Sequence, residues 1–255
     1  SKQGRPRTAR IFYGDESMNE RTVRTEMLLG GEAMDRLKNA HVAVFGLGGV
    51  GSWCAEALSR CGVGRLTIID QDEVGLSNIN RQLCALTSTV GMPKAEVIRS
   101  RIADIDPDID VRAIVGHYDA QSREDFFADY DFIVDCIDLV SCKVDLISQA
   151  KQRSIPIVSA LGTGNKCDAQ RLTLCDIKKT SGCPLARVVR KELRAVGIEH
   201  HAVVFSPEEA MECAQFEAPP PGRRSVPGSL VWVPASAGLL LCQYVVMSIA
   251  NGGEG

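Results

Sequence analysis

His41-Val42-Ala43-Val44-Phe45-Gly46-Leu47-Gly48-Gly49-Val50-Gly51 is a short apolar run that ends on a glycine cluster. The run reads as a buried strand, and Gly51 to about Cys61 reads as a helix. Glycine lets the chain turn sharply and lets a phosphate approach the backbone closely. The helix amino end behind it offers free N–H groups and partial positive charge. Leu66 to Ile69 forms a second strand that closes on Asp70, whose carboxylate can accept hydrogen bonds from ribose hydroxyls. Strand, glycine turn, helix, strand and acid in this order are a nucleotide-binding fingerprint. The fingerprint alone does not choose between NAD and ATP, and a glycine turn made only for packing is the bland alternative.

Outward from this unit the alternation continues. A helix is expected over Lys94 to Asp104 and strands over Val111 to Val115 and Phe132 to Val134, the latter closing on Asp135. A further helix is expected over Ser141 to Arg153 and a strand over Ile157 to Ala160. Strands separated by helices predict right-handed crossovers and a parallel sheet. The fold class is therefore α/β, a Rossmann-like doubly wound, mainly parallel sheet with a looser mixed C-terminal part. Upstream, helices broken at Gly30-Gly31 are expected between Arg21 and Lys38. Downstream, strands are expected over Arg171 to Cys175, Ala202 to Phe205 and Leu230 to Val233, with a helix over Pro184 to Ala195. The organisation expected is a mobile arm over 1–20, a nucleotide-binding part over 21–165 and a substrate-facing part of the same unit over 166–255. The proline-rich segment 217–228 is expected to be a loop.

The chain has 255 residues, 45% hydrophobic and 24% charged, with a formal net charge of −3. Overall charge does not suggest nucleic acid, so any such site must be a local patch. Ten cysteines and four histidines supply no paired zinc spacing. Cys54, Cys61, Cys136 and Cys242 lie in apolar runs and read as small buried hydrophobes. With no signal peptide in the sequence, this pattern suggests a reducing, cytoplasmic location. The apolar stretch Ala235 to Ala250 is short for a membrane span, which needs about 20 residues. It reads as a buried or docked helix.

The segment after Asp70 narrows the chemistry. It reads Asp70-Gln71-Asp72, then Ser77-Asn78-Ile79-Asn80-Arg81-Gln82, then Gly91-Met92-Pro93-Lys94. Two cations and two amides aimed at the phosphate loop suit a triphosphate better than hydride transfer; the bland alternative is that Arg81 and Lys94 are ordinary surface cations. Charge on a transferring phosphorus and departing pyrophosphate calls for Arg and Lys clamps. Asp135-Cys136-Ile137-Asp138 follows the fourth strand, where ligands of parallel sheets bind. Asp138 could hold Mg2+ bridging ATP phosphates; the alternative is a helix N-cap.

Together, Gly46, Gly48, Gly49, Gly51, Asp70, Asp72, Asn78, Asn80, Arg81, Gln82, Lys94 and Asp138 resemble the ATP site of the ubiquitin-activating-enzyme-like superfamily, the ThiF and MoeB type. The resemblance implies ATP and Mg2+ binding and activation of a carboxylate as an acyl adenylate. By it, Gly48 and Asp70 contact the adenosine end, Asn78, Arg81 and Lys94 the phosphates, and Asp138 the metal. Arg24 resembles the arginine that such homodimers donate into the neighbouring subunit's site. A monovalent cation, Na+ or K+, and a sulfur-transfer protein partner are further possibilities within the superfamily. Further matches at Arg24 to Gly30, Pro184 to Arg187, Val204 to Glu208 and Gly228 to Pro234 resemble its tRNA-modifying branch. That branch implies activation of the threonine carboxylate on a modified adenosine beside the anticodon, then ring closure by the neighbouring carbamoyl group. Such an intramolecular nucleophile needs no thioester cysteine. At Cys183 the branch pattern has aspartate.

Arg187, Arg190, Lys191 and Arg194 fall at i, i+3, i+4 and i+7, one helix face that could bind RNA phosphates. Arg223 and Arg224, with Lys178 and Lys179, could extend it; a merely solvated face is the alternative. Other readings are activation of a ubiquitin-like sulfur carrier's terminal glycine and a non-catalytic nucleotide-binding scaffold. The first shares every ATP-site residue. The second has no use for the Arg81, Lys94 and Asp138 set.

Overall fold

The computed structural model describes residues 19–216 and 225–253. The expected arm over 1–20 lies almost entirely outside them, as do Arg223 and Arg224. The strands are β1 (His41–Phe45), β2 (Arg65–Asp70), β3 (Asp110–Val115), β4 (Phe132–Asp135), β5 (Ile157–Ala160), β6 (Thr173–Asp176) and β7 (Ala202–Phe205). The helices are α1 (Val23–Leu29), α2 (Gly31–Asn39), α3 (Gly51–Arg60), α4 (Lys94–Ile105), α5 (Val140–Gln152), α6 (Pro184–Ala195) and α7 (Trp232–Ala250).

The strands form one sheet in the order β3-β2-β1-β4-β5-β7-β6. Every neighbouring pair is parallel except β6 with β7. The chain builds outward from β1 to β2 and β3, then returns to lay β4 on the other side of β1. The strand order thus reverses between β1 and β4. A crevice opens at the carboxyl ends of strands at such a point.

Period-two alternation sorts the strand side chains onto two faces. Val42, Val44, Leu66, Ile68, Phe132 and Val134 join one core with α3, α4 and α7. Ala43, Phe45, Ile133 and Val203 join the other with α5 and α6. Both faces of the central strands are covered, which is why their sequences are nearly continuous apolar runs.

One sequence expectation fails here. Leu230 to Val233 is not a strand: Trp232 and Val233 open α7, and Pro234 follows within its first turn. Proline costs little there, because the first N–H groups of a helix have no intrahelical partner. The β-branched run had suggested a strand. α7 therefore has 19 residues rather than the 16 read from Ala235, and its length and composition would suffice to cross a membrane. About half of it is buried, and Val233, Ala237, Leu241 and Val245 complete the first core. Gly238 lets α7 meet α3 at backbone distance; a Cβ there would lie 2.5 Å from the Val50 carbonyl oxygen. It is a core helix.

Cys183, in the position of the expected aspartate, caps α6: its Sγ accepts from the Ala186 N–H at 3.5 Å. Of the four cysteines read as buried hydrophobes, Cys54 and Cys242 are buried and Cys61 and Cys136 half-buried. Burial pushes the Cys54 and Cys136 thiols well above the ordinary range, so neither supplies a thiolate.

Candidate active site

The glycines divide into two groups by what surrounds them. A Cβ on Gly46 would lie 2.7 Å from the Cys136 carbonyl oxygen, and one on Gly51 would lie 1.8 Å from the Gly46 carbonyl oxygen. These two glycines are dictated by packing of the β1 turn onto the segment after β4. Gly46 also has a positive φ of 89°, which only glycine adopts cheaply. Gly48 is different: its nearest neighbour is Gln82 Nε2, 3.9 Å from a Cβ position. The space above it, at the amino end of α3, is open to a ligand. Gly49 faces Pro234 and the stem of Arg81.

Asp70 shapes this turn. Its Oδ2 accepts from the Leu47 N–H at 2.6 Å and its Oδ1 from the Asp72 N–H at 2.8 Å. Burial raises its pKa above the ordinary value, opposed by the charge of Lys94 and by those two hydrogen bonds. The acid thus pins the glycine turn and the following segment, using one lone pair of each oxygen.

The segment after β2 folds back to the start of α4. Lys94 is buried, its Nζ 2.8 Å from Asp72 Oδ2, and its backbone N–H donates to the Asp72 carbonyl at 3.0 Å. The Asn78 side chain accepts from the Gly75 N–H at 3.0 Å and closes a turn over Leu76–Asn78. Arg81 Nη1 donates to the Ser77 carbonyl and to Asn80 Oδ1, each at 2.9 Å. Trp53 of α3 donates its indole N–H to the Arg81 carbonyl at 3.1 Å, and Ser52 Oγ accepts from Leu83 N–H at 3.1 Å. Arg81 and the buried Gln82 are therefore latched to the first turn of the helix behind the glycine loop. Asn80 reaches across to donate to the Ser229 carbonyl at 3.0 Å.

Asp138 is exposed on the loop after β4. It is not the N-cap of α5, a position held by Leu139. The support beneath that loop is a buried network that sequence reading missed. Asp135 and Lys143 are wholly buried, with Nζ to Oδ2 at 2.7 Å. Lys143 also donates to the Ala160 carbonyl at 3.0 Å, and Ser159 Oγ donates to Asp135 Oδ2 at 2.6 Å. Asp135 Oδ1 accepts from the Ile137 N–H at 3.0 Å, which fixes the turn leading to Asp138. Ser159 in turn sits 2.7 Å from His201 Nε2. The available signal was a lysine three residues into an otherwise core-facing helix.

The structure thus gathers the glycine loop, Asp70, Asp72, Lys94, Asn78, Asn80, Arg81 and Gln82 at the carboxyl ends of β1 and β2, with Asp138 at the end of neighbouring β4. Arg24 stands apart, exposed on α1, which packs chiefly on α2. On α6, Arg187, Lys191 and Arg194 are exposed. Arg190 leaves that face: its Nη1 donates to the Thr180 carbonyl at 2.7 Å and to the Thr180 hydroxyl. Among the described residues no group of three or more His, Cys, Asp or Glu could hold a metal by itself. A large open cavity of about 1010 Å³ lies elsewhere, at the amino ends of β4, β5 and β7, away from this site.

A doubly wound sheet, a glycine loop open above Gly48 and two latched cations beside it define a nucleotide-binding α/β enzyme. The chain belongs to the ThiF family, whose model matches residues 20–252. It is 42% identical over 237 residues to the tRNA threonylcarbamoyladenosine dehydratase of Bacillus subtilis, covering 89% of this chain and 93% of that one. Its fold is similar to the Escherichia coli tRNA N6-threonylcarbamoyladenosine dehydratase TcdA in complex with ATP. The TM-score is 0.83 at 32% identity, over 92% of this chain and 97% of the other. The AMP complex of the same E. coli enzyme matches at a TM-score of 0.82 and 32% identity, over 91% and 95%.

Proposed function

We infer that the chain uses ATP to adenylate the carboxylate of threonylcarbamoyladenosine in tRNA and then closes it to the cyclic form, releasing AMP and pyrophosphate. The observation that carries this is the 42% identity to a tRNA threonylcarbamoyladenosine dehydratase across nearly the full length of both chains. The site supports it chemically. The open backbone above Gly48 accepts phosphate, and Lys94 and Arg81 neutralise charge on the phosphates as a carboxylate oxygen attacks the α-phosphorus and pyrophosphate leaves. The carbamoyl group of the same substrate then attacks the acyl carbon and AMP departs, a net loss of one water. That nucleophile is already tethered, so the protein need only hold the ends together. Such a route uses no thioester cysteine, and burial keeps the Cys54 and Cys136 thiols protonated.

Asp138 fits Mg2+ as a single exposed carboxylate, since Mg2+ is commonly held by one or two carboxylates plus substrate phosphates. The ion would supply neutralisation between phosphate oxygens. A homodimer is the assembly proposed. Met27 and Leu28 are 76% and 87% exposed on α1, the helix that also carries Arg24. Residues 21–165 are proposed as the nucleotide-facing part and 166–255 as the RNA-facing part, acting in the cytoplasm where tRNA and ATP meet.

The test is ATP turnover scored as AMP and pyrophosphate, with and without tRNA carrying threonylcarbamoyladenosine. AMP formed only with modified tRNA, together with loss of one water mass from the nucleoside, is the expected result. Turnover indifferent to that modification would overturn the reading.

A further inference from the structure

Lys166 has no account in the site described so far. It is 3% exposed, and its Nζ has no hydrogen-bond partner among the described residues. An ammonium taken from water without a partner is strongly disfavoured, so buried cations are paired or receive a ligand. The carboxylate on the facing segment does not satisfy it. Glu208 spends Oε1 on the Cys167 N–H at 2.9 Å and Oε2 on the Asp168 N–H at 3.0 Å, and makes no hydrogen bond to the lysine. It lends compensating charge and leaves the donors of Lys166 unused.

The lysine's place in the fold points to what would use them. It lies on the loop after β5, beside β4, at the same carboxyl edge as the glycine loop and Asp138. Asn165, held at a left-handed φ of 58°, clamps this loop: its N–H donates to the Gly228 carbonyl at 2.8 Å and its Oδ1 accepts from the Gly228 N–H at 2.6 Å. Trp232 donates its indole N–H to the Cys167 carbonyl at 2.7 Å. The same connection meets the phosphate-facing segment through Asn80 and Ser229. The loop of Lys166 and the segment of Arg81 are therefore tied to one shared strap. Along the edge, β2 and β1 carry the nucleotide elements, and β5 lies beyond β4 on the side left for the acyl group.

We propose that Lys166 is a substrate-binding residue that receives the carboxylate of the tRNA-borne threonylcarbamoyl group and orients it toward the α-phosphate. This rests on the dehydratase reading above. Backbone phosphates call for exposed cations, of the kind that Arg187 and Lys191 supply on α6. A cation so enclosed suits a single small anionic group on a splayed-out base, the part of an RNA that enters protein pockets.

The experiment compares wild type with Lys166→Met and Lys166→Gln. Tm is measured without ligand, ATP binding directly, and affinity for tRNA with and without threonylcarbamoyladenosine in the absence of ATP. Removal of an unpaired buried cation by an apolar isostere should leave Tm unchanged or raised, whereas a structural role for the lysine would lower it. ATP binding should survive. Wild type should prefer modified tRNA; both variants should bind the two tRNAs equally, at wild-type affinity for the unmodified one. AMP formation should fall at least about 100-fold, as for loss of one charge-stabilising donor. A preserved preference for modified tRNA in the variants overturns the proposal. So does an equal weakening toward both tRNAs, which would mark a backbone-phosphate contact. If wild type itself forms no AMP on modified tRNA, the dehydratase reading fails first and the assignment of Lys166 fails with it.

Discussion

Lys94 Nζ lies 2.8 Å from Asp72 Oδ2, the lysine side chain 6% exposed and the aspartate 56% exposed. A cation whose stem is buried while its partner faces solvent is fixed in place yet can be reached from one side. In the proposed reaction a phosphate would share the ammonium with Asp72 without reorganising the lysine, as preorganised charge does in lowering a barrier. Lys94→Ala should reduce adenylation by about 1000-fold or more with little loss of folding, and Arg81→Ala should behave likewise. Pyrophosphate release at saturating modified tRNA is the measurement. Near-normal rates in both variants would remove the phosphate-clamp assignment.

The second buried lysine predicts the opposite division of effects. Lys143 and Asp135 are both 0% exposed, and neither faces the open crevice. Lys143→Met strands the Asp135 carboxylate in the core with only Ser159 and the Ile137 N–H as donors. Breaking such a pair from one side costs about 3–5 kcal/mol. Urea unfolding should show that loss, and ATP affinity should weaken with it, because Asp135 anchors the turn that carries Asp138. A cost under about 1 kcal/mol would mean that Asp135 takes up a proton or another donor when the lysine is gone.

These two lysines also mark what was legible in the sequence. β1, its glycine turn, β2 and Asp70 were readable because each local rule points the same way: an apolar run, obligatory glycines and an acid at a fixed place. Lys94 was readable because it follows Pro93 at a helix start. Lys143 and Lys166 were not, because nothing local distinguishes a lysine that turns inward from one that snorkels to solvent. Asp135 and Ala160, which receive Lys143, and Glu208, whose charge faces Lys166, are brought to these lysines only by the fold. Arg190 shows the same limit in reverse. Helical spacing put it on the basic face, but its position between that face and the core lets it cap the Thr180 turn instead. At Leu230 to Val233, β-branched composition pointed to a strand, and packing of α7 against α3 overrode it.

His201 makes stability depend on pH. It is buried; desolvation, reinforced by Lys151 and Lys143 and opposed by Asp176, holds its imidazole at about 3, far below the free value of 6.5. With Ser159 donating to Asp135, His201 Nε2 donates to Ser159, and burial keeps the ring neutral in the folded state. Between about pH 6.5 and 3 the unfolded chain binds a proton that the native chain does not. Stability should therefore fall as pH drops through this window, by up to about 1.4 kcal/mol per pH unit from this group. His201→Gln should flatten the slope of unfolding free energy against pH between 6 and 4. An unchanged slope would show that the ring is protonated in the native state.

The exposed cations of α6 make a prediction that separates RNA binding from fold maintenance on a single helix. Arg187, Lys191 and Arg194 are exposed, while Arg190 is spent on Thr180. If this face meets tRNA, each of the three neutralises a phosphate and releases counterions, so affinity depends steeply on salt. Replacing all three with glutamate should weaken tRNA binding and lower the slope of log affinity against log salt by about 2–3 units. ATP binding and Tm should stay near wild type, because none of the three has a partner within the described residues. Arg190→Ala should do the reverse, lowering Tm by leaving the buried Thr180 carbonyl and hydroxyl short of a donor while the salt slope is unchanged. Titrations at several salt concentrations, paired with thermal melts, read both quantities. A triple reversal that leaves the salt slope intact places the RNA surface elsewhere, and α6 then serves only to cover the second core through Ala186, Val189 and Leu193.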